Sequence, residues 1–92
     1  MIIRIMGEGQ LKLEDAAVGE LNKLDADLEK AVESSDQAAF ESAMHALLAR
    51  AREVGVELPP DSLEPSDLIL PREDATIEEV RELMTDDGLI PG

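Results

Sequence analysis

The stretch MIIRIMGEGQLKL, residues 1–13, predicts a β-hairpin. Its two halves place apolar side chains at alternate positions, the pattern of half-buried strands, and these positions are Ile3, Ile5, Leu11 and Leu13. A three-residue loop at 7–9 pairs Ile5 with Leu11 and Ile3 with Leu13, which puts all four side chains on one face. A two-residue turn would send one strand's apolar set to the opposite face. We therefore predict the three-residue loop, with Gly9 supplying the positive φ that such loops need.

The next segment, 16–55, has the period of a helical hairpin. In the first half the apolar residues recur at spacings of three and four: Ala17, Leu21, Leu24, Leu28 and Val32. In the second half the corresponding stripe is Phe40, Met44, Leu47, Ala51 and Val54. Ser35 or Asp36 is suited to cap the second helix, and Gly55 follows its end. Because the connection is so short, we expect the two helices to pack antiparallel.

A proline-rich crossing follows at 56–66, where Pro59, Pro60 and Pro65 exclude a regular helix. After it, residues 67–70 (DLIL) form a short apolar run closed by Pro71. This run predicts a third strand on the N-terminal hairpin.

The last helix begins at a capping box, in which Thr76 is followed three residues later by Glu79. Its apolar side is predicted to comprise Ile77, Val80, Leu83 and Met84. Gly88 suits the left-handed position after the helix, which would let Leu89 fold back onto Met84. The whole chain, 1–92, is thus predicted to be one α+β domain, with segment 67–92 contributing the third strand and the C-terminal helix.

Composition excludes several functional classes. The chain has 22 acidic and eight basic residues, a net charge of −14, one aromatic residue and no cysteine. This charge repels nucleic-acid backbones and anionic lipids, and the lack of aromatic residues removes the platforms on which bases stack. Without cysteine there are neither disulfides nor thiolate metal sites. No signal peptide or membrane-spanning run is evident, so we expect a cytoplasmic protein.

The triplet Asp61-Ser62-Leu63 resembles the attachment site of acyl carrier proteins, which are also small and acidic. A carrier serine begins an amphipathic helix, whereas Pro65 follows Ser62 after only three residues. We therefore favour a turn here. A carrier-type protein modified on Ser62 is kept as the alternative function.

Other chemical constellations are weaker. His45 is the only histidine, which is too few for a typical zinc site. The run Asp25–Glu29 imitates the start of a calcium loop, but Lys30 stands where the sharp turn requires glycine. The run also falls within a helical period, so we assign its acids to a solvated helix face. We predict no catalytic residues, no cofactor and no metal, and hence no enzyme.

Three segments occur in a fixed order: MIIRIMGEGQ at 1–10, PSDLILP at 65–71 and DGLIPG at 87–92, with a helical hairpin between the first two. Together they resemble the PspAA family of the phage-shock-protein envelope-stress system. The resemblance covers essentially the whole chain. It implies a small cytosolic adaptor encoded with PspA, a coiled-coil protein that assembles on membranes and repairs them. No catalytic residues come with the resemblance. The residues that match its signature are Gly7 to Gln10, Pro65 to Pro71 and Asp87 to Gly92.

With PspA as the partner that the resemblance implies, the densest run of acids predicts where contact is made. The predicted partner-binding residues are Glu78, Glu82, Asp86, Asp87, Leu89 and Ile90. The carboxylates would meet a basic patch, and the two apolar residues would fix the pose. Alternatively, Leu89 and Ile90 simply close the core. Because the chain is so acidic, we expect it to reach a membrane only indirectly, through PspA.

Overall fold

The computed structural model describes residues 1–61, 63–84 and 89. It has the α+β architecture that the sequence predicts, with strands first, then a helical hairpin, further short strands and a last helix. The elements, in chain order, are β1 (Ile2–Ile5), β2 (Gly9–Lys12), α1 (Asp15–Ser34), α2 (Gln37–Val54), β3 (Val56–Glu57), β4 (Leu68–Leu70) and α3 (Ile77–Leu83).

The hairpin of β1 and β2 is confirmed, but its predicted register was wrong by two residues. Ile3 pairs with Leu11, and Ile5 pairs with Gly9. A shift by two keeps every side chain on its own face, because side chains alternate with a period of two. Ile3, Ile5 and Leu13 are therefore buried together, and Leu11 packs against them. Alternation fixed the face, but it could not fix the register.

The turn decides the register. The loop is 6–8, and the backbone N–H of Glu8 donates to the carbonyl oxygen of Ile5 at 2.9 Å. Gly7 is the third residue of this turn and has a φ of 86°, a value that glycine adopts with little steric cost. Gly9 has the predicted positive φ, 135°, although it begins β2 rather than ending the loop.

The helical hairpin packs on the sheet face that carries the buried hairpin residues. Asp36 caps α2, since its carboxylate accepts the backbone N–H of Ala39 at 3.1 Å. Ser35, in the left-handed conformation at φ 54°, ends α1. The buried α1 and α2 side chains form one cluster with the strands, and they include Leu21, Leu28, Val32, Phe40, Met44, Leu47 and Leu48. Leu24 is only half-buried at the border of this cluster.

Gly55, just after α2, allows a close approach between the helix end and the hairpin. Its backbone is extended, with φ −84° and ψ 149°, so no positive φ requires glycine here. A Cβ at this position would lie 2.8 Å from the Ala51 carbonyl oxygen and 2.9 Å from the Leu11 Cβ. The absence of a side chain thus lets α2 turn directly into β3.

The sequence did not predict β3, which lies inside the segment assigned to the proline-rich crossing. It spans two residues and pairs antiparallel with β2, with Leu11 opposite Glu57 and Lys12 opposite Val56. Two residues are too few to show alternation, so no periodicity signals this strand.

The predicted third strand is confirmed as β4. It pairs parallel with β1, Ile5 being opposite Leu70, and completes a four-stranded sheet in the order β3-β2-β1-β4. Because β3 and β4 occupy opposite edges, the chain between them must cross the sheet. Leu70 is fully buried and Ile69 is 46% exposed, as expected for adjacent residues on opposite faces.

Candidate partner-binding surface

The short helix α3 carries the described carboxylates of the predicted binding surface. Its capping box is confirmed: the Glu79 N–H donates to the Thr76 Oγ1 at 3.2 Å, and the Thr76 N–H donates to the Glu79 Oε1 at 3.3 Å. Ile77 and Val80 are buried in the core. The backbone of α3 is thus fixed at its start by its own side chains and along one side by packing.

Glu78 and Glu82 lie one helical turn apart on the side of α3 away from the core, and both are exposed. No described residue forms a hydrogen bond or ion pair with either carboxylate. Glu79, by contrast, is engaged in the capping box. The helix therefore presents two unneutralised negative charges to solvent.

Leu83 corrects the predicted apolar side of α3. It was assigned to the core with Ile77 and Val80, yet it is 47% exposed. The helix is only seven residues long, and its last turn leaves the core before Leu83 can reach it. Leu83 therefore places an apolar side chain on the surface next to Glu82.

Two polar contacts hold α3 and the following segment against α1. Arg81 donates from Nη2 to the Val32 carbonyl oxygen at 2.9 Å and to the Ser35 Oγ at 3.2 Å, where the last carbonyls of α1 need donors. Further along, the Leu89 N–H donates to the Asp25 Oδ1 at 3.1 Å. Both contacts tie the C-terminal part of the chain to the helical hairpin.

Asp25 is buried, at 2% exposure, so its assignment to a solvated helix face was wrong. It lies within the spacing of Leu21, Leu28 and Val32, and a carboxylate inside an apolar stripe was the signal for a buried acceptor. Leu89, which this carboxylate holds, is 7% exposed and belongs to the core cluster. Leu89 therefore lies where it would if it closed the core, the alternative given to partner binding.

The other predicted binding residues, Asp86, Asp87 and Ile90, lie outside the described residues, as do Gly88 and Ser62. Around Ser62 the described neighbours are extended or turn-like, with Leu63 98% exposed and no helix through Pro65. Asp61 and Leu63 thus have the loop setting that the prolines predict.

A chain of polar contacts between ionisable side chains, which sequence reasoning missed, links the hairpin loop to α2. Arg52 donates from Nε to the Glu8 Oε1 at 2.8 Å, and its Nη2 lies 3.7 Å from the Glu73 Oε2. The other Glu73 carboxylate oxygen lies 3.4 Å from the His45 Nδ1. Because the partners are more than 20 residues apart in sequence, no local pattern could reveal them.

The Glu8–Arg52 pair perturbs both groups. Hydrogen bonds from the Arg52 guanidinium lower the pKa of the Glu8 carboxyl below its ordinary value. The same contact raises the pKa of Arg52, which stays charged. Both side chains are about one-third or more exposed, at 34% for Arg52 and 42% for Glu8, so solvent weakens the pair. It orients the loop rather than forming a reactive site.

Gln10 joins the first two signature segments. It is 7% exposed, and its Nε2 donates to the Glu64 carbonyl oxygen at 2.7 Å and to the Ser66 Oγ at 2.9 Å. Since side chains alternate along β2, Gln10 lies on the sheet face away from the helices. The proline-rich crossing therefore runs over this outer face and is fastened there by Gln10.

The described part of the chain contains neither a metal-binding cluster nor a membrane-spanning helix. Within it, no three His, Asp or Glu side chains are grouped so that they could hold a metal ion. Among residues 1–61, 63–84 and 89, no helix combines the length and apolar character that crossing a membrane requires.

Comparison with known proteins identifies a family. No curated protein and no solved structure matches this chain. The family described as PspA-Associated protein, PspAA, matches residues 1–92. This match extends over the signature segments, the helical hairpin and α3 alike. The chain therefore belongs to the PspAA family of PspA-associated proteins.

Proposed function

We propose that this chain is a non-enzymatic adaptor that binds PspA and thereby regulates it in the envelope-stress response. The observation that carries the proposal is the whole-chain match to a family described by its association with PspA. A protein with that role needs a contact surface rather than a catalytic site.

Charge supplies the means of recognition. The net charge of −14 gives the surface a negative potential that attracts a basic partner and accelerates encounter. On α3, Glu78 and Glu82 are exposed, and no described residue pairs with them. Their charge is therefore available to basic side chains of PspA, and Asp86 and Asp87, which follow in the sequence, add two negative charges to the segment.

An apolar contact is needed to fix the pose, because exposed charges alone contribute little affinity. Leu89 is the less suitable anchor, since it is buried against the core. Leu83 is about half exposed and adjoins Glu82, so we assign it this role, with Ile90 as a further apolar residue. The proposed surface thus has a small apolar centre beside carboxylates.

The same charge determines how the protein would reach a membrane. Anionic lipid surfaces repel a chain of this charge, so recruitment should depend on PspA. Purified protein should leave anionic liposomes unbound and should bind them when PspA is added. Binding to anionic liposomes without PspA would contradict this route.

The direct test is the association rate with purified PspA at several salt concentrations. Glu78→Lys combined with Glu82→Lys should slow association on the order of tenfold at low salt and flatten its salt dependence. The matched control is Asp27→Lys combined with Asp61→Lys, which changes the net charge equally at two exposed positions outside α3.

The outcomes separate three cases. If the association rate falls much further in the α3 double variant than in the control, α3 is the contact surface. If both variants slow equally, only the overall charge matters and the assignment to α3 is wrong. If the wild-type protein does not bind PspA under any of these conditions, the adaptor function itself is refuted. Unchanged circular dichroism of both variants establishes that the fold is intact.

A further inference from the structure

A cleft of about 720 Å³ lies between the hairpin and the start of the proline-rich crossing. Its volume is in the range of about 300–1,000 Å³ typical of ligand sites. Residues of β1, the hairpin loop, β2, β3 and the segment after β3 line it, among them Arg4, Gln10, Leu58, Pro59 and Pro60. Its lining also includes Glu57 and the paired Glu8 and Arg52. This cleft is not part of the α3 surface.

The polar and apolar groups of the cleft lie side by side on adjacent strands. Arg4 on β1 is directly opposite Gln10 on β2. The Leu58 N–H in turn donates to the Gln10 carbonyl oxygen at 3.0 Å, so Arg4, Gln10 and Leu58 form a row across the sheet. Directly opposed residues are about 5 Å apart. One small ligand can therefore contact all three residues.

Two polar groups in this row have free hydrogen-bonding capacity. The Arg4 side chain is exposed and forms no hydrogen bond or ion pair with any described residue, although the chain has 22 acidic residues. Gln10 uses Nε2 to fasten the crossing, and no described residue donates to its Oε1. Gln10 itself lines the cleft.

These groups define the chemistry of a ligand. A guanidinium binds carboxylates, often through two parallel hydrogen bonds. An amide oxygen accepts an N–H group, and the wall of Leu58, Pro59 and Pro60 accommodates an apolar side chain. The C-terminal residue of a polypeptide combines all three features when its side chain is apolar.

We propose that this cleft binds the free C-terminus of a partner polypeptide with an apolar last residue. The terminal carboxylate contacts Arg4, the last peptide N–H donates to the Gln10 Oε1, and the side chain packs on Leu58 and the two prolines. The rest of the partner leaves through the open side of the cleft. Arg4 is the charge complement of this ligand. Arg4, Gln10 and Leu58 lie on the sheet face opposite the helices, and no residue of α3 lines the cleft, so the site is separate from the proposed contact with PspA.

The test uses short synthetic probes and the amide resonances of the intact protein. Acetyl-Ala-Ala-Leu should shift the resonances of Gly9, Gln10 and Leu58 in a saturable titration. Its C-terminal amide, which lacks the charge, should bind about three- to fivefold more weakly, the effect of one partly exposed ion pair. In Arg4→Gln the two probes should bind equally. Lys12→Gln, which removes a cation from the same sheet face, should keep the preference for the carboxylate.

Three results would overturn the proposal. The first is the absence of shifts at these three amides at millimolar probe. The second is a preference for the carboxylate that persists in Arg4→Gln. The third is binding of acetyl-Ala-Ala-Gly as tight as that of acetyl-Ala-Ala-Leu, which would show that the cleft does not accommodate an apolar last side chain. Because the Arg4 side chain forms no hydrogen bond or ion pair with described residues, Arg4→Gln should fold normally, and its melting temperature establishes this.

Discussion

Replacing Gly55 by Ala tests the contact between the end of α2 and the hairpin. An added Cβ would lie 2.8 Å from the Ala51 carbonyl oxygen, 2.9 Å from the Leu11 Cβ and 3.2 Å from the Leu13 Cδ2. The first two distances are shorter than side-chain carbons tolerate, and two of the atoms belong to rigid parts of the fold. Either α2 or β2 must shift, at a cost of about 1–3 kcal/mol for overpacking.

The matched control is Gly19→Ala within α1, where an added Cβ meets nothing within 4 Å. Alanine favours the helix over glycine by about 0.5–1 kcal/mol, so this variant should be more stable than the wild type. Urea unfolding followed by circular dichroism gives both free energies of unfolding. For a domain of this size each kcal/mol corresponds to a change in melting temperature of about 4–8 °C.

The two glycine variants must therefore change the free energy of unfolding in opposite directions, Gly55→Ala lowering it and Gly19→Ala raising it. The expectation for Gly55 does not depend on backbone strain, because its φ of −84° is one that alanine adopts freely. If Gly55→Ala unfolds at the same urea concentration as the wild type, the close packing of α2 on the hairpin is not as described. If Gly19→Ala is destabilised as well, the variants report some other property of alanine.

Two further predictions concern the core and the loop. Leu47→Ala should lower the free energy of unfolding by about 2–5 kcal/mol, because Leu47 is fully buried. Leu24→Ala should lower it by less than about 2 kcal/mol, because Leu24 is only half-buried. Equal losses for the two variants in urea unfolding would contradict this order. Glu8→Gln should cost no more than about 1 kcal/mol at pH 7, since the pair with Arg52 is partly exposed. The lowered pKa of Glu8 stabilises the fold above the ordinary glutamate pKa of about 4.3, and this contribution is lost as the pH falls through the lowered pKa, so the difference between variant and wild type should shrink as the pH falls below about 4.3. A difference that stays constant down to about pH 3 would contradict the role of that ion pair.

Much of the fold was predictable, because the spacing of apolar residues along the sequence shows which side of a strand or helix is buried. The period of two in 1–13 correctly placed Ile3 and Ile5 on one face, and the period near 3.6 located both long helices. A shift of the hairpin by two residues leaves that pattern unchanged, so the register depended on the turn at Gly7. The two-residue strand β3 is too short to produce any period.

The candidate surface was less predictable, because exposure at the end of a short helix depends on where the helix leaves the core. Sequence alone could not decide between Leu83 and Leu89 as the exposed residue, since both suit an apolar position. The cleft was not predicted at all. It arises because Arg4, Gln10 and Leu58, which are distant in sequence, become neighbours on adjacent strands.

The parallel pairing of β1 with β4 has a consequence for synthesis on the ribosome. Ile2 is hydrogen-bonded to Asp67, 65 residues later, so β1 is translated long before its partner strand exists. At about 5–20 residues per second, the delay is roughly 3–13 s. During that interval one side of β1 has unpaired backbone groups, a template for association with other nascent chains. The many carboxylates translated in between make such chains repel one another, which protects the protein until β4 is in place.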